Sequence, residues 1–184
     1  MEDLSLHILD VAENGITAGA SLIAITVEED LTRDRLVVIV EDNGRGMEPD
    51  LVARVLDPFT TTRTTRKVGL GLSLFQQSVQ QAQGDLVVES TPGLGTKVTA
   101  HMRHSHIDRK PMGDMAETML TLIEGNPEVD FVYKHKIDGR ELVLDTREIR
   151  PELEEIPLNN PHVISFIRES LRAELKEAAK SPRE

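Results

Sequence analysis

Apolar positions near the start of the chain follow first a helical and then a strand period. The helical stripe consists of Leu4, Ile8, Val11, Ala12 and Ile16. Residues at three- and four-residue steps share one helix face, so the stripe predicts an amphipathic helix that ends near Gly19. Residues 23–27 then alternate, residues 36–40 form a β-branched run, and an acidic stretch separates the two. This pattern predicts two strands joined as a hairpin.

The next segment repeats the order of helix and strands. Pro49 is a residue favoured in the first helical turn, and it predicts a short helix over residues 49–56. Residues 60–68 have no apolar period and are predicted to form a loop. A helix over residues 70–82 and two strands around the Pro92-Gly93 turn follow. This order of elements predicts an α+β layer rather than a doubly wound parallel sheet.

The character of the chain changes after residue 103. A polar stretch leads to a Met-rich helical stripe over residues 112–123, which predicts a core helix, with a partner-binding groove as the alternative. A hairpin around Asp138-Gly139 and a helix capped by Asn160 follow. We therefore predict two units, a larger domain over residues 1–103 and a small α-β-β-α unit over residues 104–184 that docks a partner or regulates the first.

Composition removes several classes of function. The 184 residues carry a net charge of −11, and only 3% are aromatic, so neither phosphate-backbone binding nor base stacking is favoured and no nucleic acid is expected. The acidic start and the absence of a long apolar run predict no signal peptide and no membrane contact. There is no cysteine. The expected compartment is the cytoplasm.

Asp10 and Asn14 are four residues apart on the first predicted helix, so their side chains leave the same face. An Asn carbonyl is a neutral oxygen donor suited to Mg²⁺, which prefers a few protein oxygens and keeps other positions for water and phosphate. We predict Asn14 as the metal ligand. An isolated pair of this kind is otherwise typical of a solvated helix surface.

Residues 42–47 read Asp-Asn-Gly-Arg-Gly-Met directly after a predicted strand. Gly44 and Gly46 would let the backbone turn tightly against a flat ring. The Asp42 carboxylate would accept a hydrogen bond from the adenine amino group, whereas guanine presents a carbonyl at that edge. Taken alone, the segment would be an ordinary turn.

Two further segments carry phosphate-binding chemistry. The loop around Arg63 combines hydroxyls with basic residues and is suited to closing over a triphosphate, with a solvated loop as the alternative. The Gly-Leu-Gly-Leu segment at residues 69–72 precedes a helix, whose first N–H groups and dipole favour an anion. His101, His104 and His106 are predicted to be solvated at a strand end, with a metal site as the alternative.

In this order the pieces resemble the N, G1, F and G2 boxes of the GHKL (Bergerat-fold) ATPases, the superfamily of gyrase, sensor histidine kinases and the mismatch-repair ATPase. The resemblance covers roughly residues 1–103. It implies a two-layer α/β sandwich with helices on one face of a mixed sheet, ATP and Mg²⁺ as cofactors, and Asp10 as the catalytic base. It also implies that Thr96 supports Asp42. The nucleotide-binding residues implied are Asn14, Asp42, Gly44, Gly46, Met47, Phe59, Thr61, Thr62, Arg63, Gly69, Leu70, Gly71, Leu72 and Thr96.

Histidine kinases carry their phosphorylated His ahead of the N box, and this sequence begins at the N-box helix. We therefore expect a regulatory protein of bacterial signalling that binds Mg-ATP and phosphorylates another protein on Ser, Thr or His. The alternative is an ATP-gated switch or slow ATPase that controls a partner without phosphotransfer. A hydrolysing machine of the gyrase type fits less well, because little chain remains for a transducer domain. A homodimer is left open.

Overall fold

The computed structural model describes residues 3–57 and 70–180. The strands are β1 (Leu22–Asp30), β2 (Arg35–Asp42), β3 (Asp85–Thr91), β4 (Gly95–Arg103), β5 (Asp130–Ile137) and β6 (Arg140–Asp145). The helices are α1 (Leu4–Thr17), α2 (Pro49–Val52), α3 (Leu70–Gln81), α4 (Met115–Gly125), α5 (Thr146–Leu153) and α6 (Pro161–Ala178). The strands form one six-stranded sheet in the order β3-β4-β2-β1-β5-β6.

The sheet is mixed because one of its neighbouring pairs is parallel. β1 and β5 run in the same direction, while the other adjacent pairs are antiparallel. The predicted α+β fold with a mixed sheet is therefore confirmed. A parallel pair needs a long crossover connection, and the chain supplies one between β4 and β5 that contains α4.

Alternation along β1 fixes which side of the sheet meets the helices. Ile23, Ile25 and Val27 are fully buried, whereas the residues between them are only partly buried. Successive strand residues point to opposite faces, so one face enters the core and the other remains accessible. On the core face, α1 and α3 contact the strands from β1 to β3, and α4 and α6 contact β5 and β6.

The chain beyond residue 103 continues the same sheet. Phe131 and Tyr133 of β5 are fully buried opposite Ile23 and Ile25 of β1, and they belong to one continuous apolar cluster with the residues under α1. The division into two units at residue 104 stays a prediction. What the structure adds is a shared core on both sides of that position.

The segment between β4 and α4 ties the start of α1 to the rest of the molecule. The carbonyls of Pro111 and Met112 accept hydrogen bonds from the N–H groups of Leu4 and Ser5, at 2.9 and 2.8 Å. The first N–H groups of a helix have no partner within the helix, so this segment satisfies two that would otherwise be orphaned. The side chain of Asp3 caps a third, that of Leu6.

Most predicted elements are confirmed, with differences at two places. The helix that begins at Pro49 extends only to Val52 and continues as turns. The eight-residue helix α5 was not predicted, because Pro151 lies inside it. Asp145 caps its start, and Arg150 binds the Asp130 carboxylate at 2.6 Å, so tertiary contacts stabilise a helix that local propensity disfavours.

Candidate functional site

Helix α1 crosses directly over the end of β2, and Gly15 allows the close approach. A β-carbon at Gly15 would lie 2.7 Å from the β-carbon of Asp42 and 2.8 Å from a methyl group of Ile23. Real β-carbons essentially never come that close to other heavy atoms, so a larger residue would push the helix away. The helical glycine costs about 1 kcal/mol relative to alanine, and this contact gives it a packing reason.

A cavity of about 120 Å³ opens beside this contact. It is lined by Val11, Asn14, Gly15, Thr17, Ala18, Asp42, Arg45, Gly46, Met47, Leu51, Leu72, Thr96 and Val98. Its walls therefore come from α1, the end of β2 and the segment after it, α2, α3 and β4. Asn14 and Asp42, predicted from separate motifs, share this one cavity. Ligand pockets usually measure about 300–1,000 Å³, so a bound nucleotide would extend beyond the volume that the described residues enclose.

The Asp42 carboxyl is held by backbone groups. The N–H of Gly44 donates to its Oδ1 at 2.8 Å, and the N–H of Thr96 donates to the same carboxyl. Burial raises the pKa of Asp42 above its ordinary value, and these two hydrogen bonds oppose that rise. The group is thus fixed in orientation and poorly solvated, which strengthens any further hydrogen bond that it accepts.

The loop after Asp42 is locked against the turn between β3 and β4. Gly46 has a φ of +68°, and a β-carbon there would lie 2.1 Å from the carbonyl oxygen of Thr91. The N–H of Gly93 donates to the carbonyl of Arg45 at 2.8 Å. Only glycine fits this left-handed turn at that distance from Thr91. The tight turn at Gly46 is followed directly by Met47, which lines the cavity.

Helix α3 brings the predicted G2 segment against α1. A β-carbon on Gly71 would lie 3.3 Å from Oδ2 of Asp10, so the first turn of α3 passes close to that carboxylate. Burial raises the pKa of Asp10. Leu72 is buried and lines the cavity. Asp10 does not itself line the cavity but lies one helical turn before Asn14.

The structure brings together the predicted residues Asn14, Asp42, Gly44, Gly46, Met47, Gly71, Leu72 and Thr96, with Asp10 beside Gly71. The predicted residues Phe59, Thr61, Thr62, Arg63 and Gly69, and the side chain of Leu70, lie outside the described part of the chain. Their roles stay predictions. Sequence reasoning did not include Ser90, which supports the cavity wall, or the cavity-lining residues Val11, Thr17, Ala18, Arg45, Leu51 and Val98.

The three histidines near the end of β4 do not form a metal site among the described residues. Nε2 of His104 binds the Glu29 carboxylate at 2.8 Å. Glu29 also binds Nε2 of His135 at 2.7 Å, and Nδ1 of His135 lies 2.8 Å from the Tyr133 hydroxyl. These hydrogen bonds lower the pKa of Glu29 to about 2, the contact from His135 contributing most.

Comparison with known proteins shows which family the chain resembles. Residues 2–106 match the family described as histidine kinase-, DNA gyrase B-, and HSP90-like ATPase. The tetrathionate sensor histidine kinase TtrS of Salmonella typhimurium is 34% identical over 109 residues, which are 57% of this chain and 18% of that protein. Histidine kinase 2 of Arabidopsis thaliana is 29% identical over 143 residues, 75% of this chain and 11% of that protein.

A solved structure extends the likeness at the level of fold. The N-terminal domain of a DNA repair protein superposes with a TM-score of 0.53 at 16% identity, covering 79% of this chain and 53% of that one. The family match and the relatives define a histidine-kinase-like ATP-binding domain. The chain belongs to the family of histidine kinase-, DNA gyrase B-, and HSP90-like ATPases.

The chain spans less than a fifth of the length of the two histidine kinases described above. Within residues 3–57 and 70–180, none of the helices is both long and apolar enough to cross a bilayer.

Proposed function

We propose that the protein binds Mg-ATP in the cavity between α1, β2 and α3, and that it transfers the γ-phosphoryl group to another protein. The observation that carries the proposal is the cavity shared by Asn14 and Asp42. The Asp42 carboxylate is an acceptor that backbone N–H groups hold in place. Asn14 lines the same cavity and carries a neutral amide. A purine and a cation-bound phosphate need this pair of groups at the two ends of one site.

Asp42 would recognise the base. Its carboxylate accepts hydrogen bonds, so it complements the exocyclic amino group of adenine and opposes the carbonyl that guanine carries at the same position. A buried acceptor that faces another acceptor costs about 1–3 kcal/mol. Met47 and Val98 supply apolar wall for the ring.

Asn14 would hold Mg²⁺ together with the nucleotide phosphates. Asn14 lines the cavity, and its amide oxygen is a donor of the kind that Mg²⁺ takes. The carboxylate of Asp10 lies one helical turn away beside Gly71. When bound, Mg²⁺ would supply charge neutralisation at the phosphates. Asp10 would orient or deprotonate the attacking hydroxyl, and the rise of its pKa through burial makes it a better proton acceptor.

A specific contact favours a second candidate, an ATP-gated switch. The segment before α4 holds the first turn of α1 through the carbonyls of Pro111 and Met112, and α1 carries both Asp10 and Asn14. A shift of α1 on nucleotide binding would therefore be passed to the chain beyond residue 103. Such a protein would bind or release a partner with slow hydrolysis or none.

One labelling experiment separates these functions. Purified protein is incubated with γ-labelled ATP, Mg²⁺ and lysate of the source organism, and label is followed into protein and into free phosphate. Asn14→Ala is the control for the site, and Asp10→Asn is the control for the chemistry.

A kinase labels a lysate protein, loses that labelling in Asn14→Ala, and loses it in Asp10→Asn while still binding ATP. Label that appears only as free phosphate indicates a slow ATPase. Binding of ATP without either product indicates the switch. Normal Mg-dependent binding of ATP by Asn14→Ala would refute the assignment of the site.

A further inference from the structure

The hydroxyl of Ser90 on β3 lies at the centre of three hydrogen bonds behind the cavity wall. The N–H of Met47 donates to it at 2.8 Å, it donates to the carbonyl of Gly95 at 2.9 Å, and it lies 2.8 Å from the hydroxyl of Thr96. Two of these partners, Met47 and Thr96, line the cavity. Ser90 thus joins the loop after Asp42 to the start of β4.

A count of protons fixes the direction of the hydrogen bond between Ser90 and Thr96. A hydroxyl has one proton to donate and two lone pairs to accept with. The Gly95 carbonyl can only accept, so the hydrogen bond between it and Ser90 uses the single proton of Ser90. When that bond is made and the N–H of Met47 uses one lone pair, Thr96 donates its own proton to the other.

This direction decides what Thr96 presents to a ligand. Thr96 lines the cavity, and with its proton directed toward Ser90 its hydroxyl oxygen has only lone pairs left for a ligand. Its backbone N–H meanwhile holds the Asp42 carboxyl, which is likewise an acceptor. The wall formed by the two residues is therefore made of acceptors and complements a group with more than one N–H to give.

We propose that Ser90 is a specificity-determining positioning residue, which keeps Thr96 an acceptor and so makes the cavity selective for a 6-aminopurine over a 6-oxopurine. The inference rests on the proposed function of the cavity. An exocyclic amino group carries two N–H donors, enough for Asp42 and for Thr96, directly or through a water. A 6-oxo group offers none and meets acceptors on both sides.

Without the Ser90 hydroxyl, Thr96 can rotate its proton into the cavity. A donor there satisfies the oxygen of a 6-oxopurine, so selectivity falls even where the overall fold is kept. A purely structural role of Ser90 would weaken both nucleotides alike. The ratio of the two dissociation constants is therefore the informative quantity.

The test measures Kd for ATP and for inosine triphosphate by calorimetry, because these nucleotides differ in the 6-substituent and in the proton on the adjacent N1, and not in their phosphates. Ser90→Ala removes the hydroxyl, and Ser90→Thr keeps it. Ser78→Ala is the matched control, since the Ser78 hydroxyl is buried on α3 and has no hydrogen-bond partner among the described residues. Melting temperatures show that each variant folds.

We expect the preference for ATP to fall about threefold to tenfold in Ser90→Ala, the equivalent of one net hydrogen bond, and to stay at the wild-type value in Ser90→Thr and Ser78→Ala. An unchanged preference in Ser90→Ala overturns the inference. If Ser90→Ala does not fold, Thr96→Val must lower the preference in its place, and an unchanged value there overturns it equally. Failure of the wild type to bind ATP would instead refute the proposed function.

Discussion

Two carboxylates at opposite ends of the β1–β2 hairpin show how differently one fold uses the same group. Asp42 ends β2 beside Ile23, and Glu29 lies near the end of β1 beside Leu36. The pKa of Asp42 is raised by burial, whereas the pKa of Glu29 is lowered to about 2 by hydrogen bonds from His135 and His104. One group is held by backbone N–H groups at a cavity, and the other is saturated by side chains.

The contrast distinguishes a carboxylate suited to ligand binding, Asp42, from one that stabilises the fold, Glu29. Glu29 joins three parts of the chain, because His104 follows β4 and His135 lies on β5. Its carboxylate has no oxygen left without a side-chain partner, so it stabilises the molecule and offers a ligand little. Asp42 forms no ion pair with the described residues, and it retains acceptor capacity toward the cavity. Removal of Glu29 should therefore lower the free energy of unfolding, whereas removal of Asp42 should weaken ATP binding.

The largest effect is expected at Glu29. Glu29→Ala leaves two histidines without their acceptor at a place where the His135 side chain is only 6% exposed, and we expect a loss of about 3 kcal/mol in the free energy of unfolding. Urea denaturation measures this. Glu28→Ala is the matched control, since its ion pair with Lys136 is more exposed and should contribute less than about 1 kcal/mol. Equal losses in the free energy of unfolding for Glu29→Ala and Glu28→Ala would contradict the special role of Glu29 in stability.

The next effect concerns ATP binding. Asp42→Ala should weaken ATP about 30-fold, the equivalent of about 2 kcal/mol for a hydrogen bond to a charged group, while the urea midpoint changes little. Glu41→Ala, one residue earlier and on the exposed side of the strand, should bind ATP as the wild type does. Loss of stability with unchanged affinity in Asp42→Ala would assign it the role that we give to Glu29.

The smallest effect comes from His7, a buried side chain without a hydrogen-bond partner within the described chain. It stacks on Phe75 at 5.0 Å between ring centres, and neither ring nitrogen has a hydrogen bond. Burial, with a smaller contribution from Lys110, lowers the pKa of His7 from 6.5 to about 4. The unfolded chain therefore takes up a proton first, so stability is complete above about pH 6.5 and falls between about pH 6.5 and 4.

At about pH 5.5, protonation of His7 in the unfolded chain should lower the free energy of unfolding by about 1 kcal/mol. The substitution His7→Leu should abolish that part of the pH dependence. Glu29 acts in a lower window. Its folded pKa is depressed, so its contribution is present above pH 4.5 and is lost only from there toward pH 2. Urea midpoints across the acid range test both windows. A flat profile between about pH 6.5 and 5 in the wild type would contradict the account of His7.

The parts of the site that lie within one motif could be predicted from the sequence, because local geometry determines them. The glycines after Asp42 indicate a tight turn, and four-residue spacing puts Asp10 and Asn14 on one helix face. The hairpin and the helices with clear apolar stripes were predictable for the same reason, since burial of one face imposes a period on the sequence.

What depends on distant contacts could not be predicted. Nothing near Ser90 indicates that its hydroxyl binds Met47, which precedes it by 43 residues. The parallel pairing of β5 with β1 and the meeting of Glu29 with His135 also depend on the topology, because many strand orders would satisfy the same alternation. The close approach of α1 to Asp42 has one sign in the sequence, the glycine at position 15 within a helix. The structure shows that a larger residue there would collide with Asp42.

The central claim is that Asp42 and Asn14 bind opposite ends of one nucleotide. A crystal structure of the protein with a non-hydrolysable ATP analogue and Mg²⁺ tests this most directly. The account predicts the adenine amino group within hydrogen-bond distance, about 3 Å, of the Asp42 carboxylate, and the Asn14 amide oxygen at the cation. A purine bound elsewhere, or an Asn14 side chain that contacts neither cation nor phosphate, would contradict it.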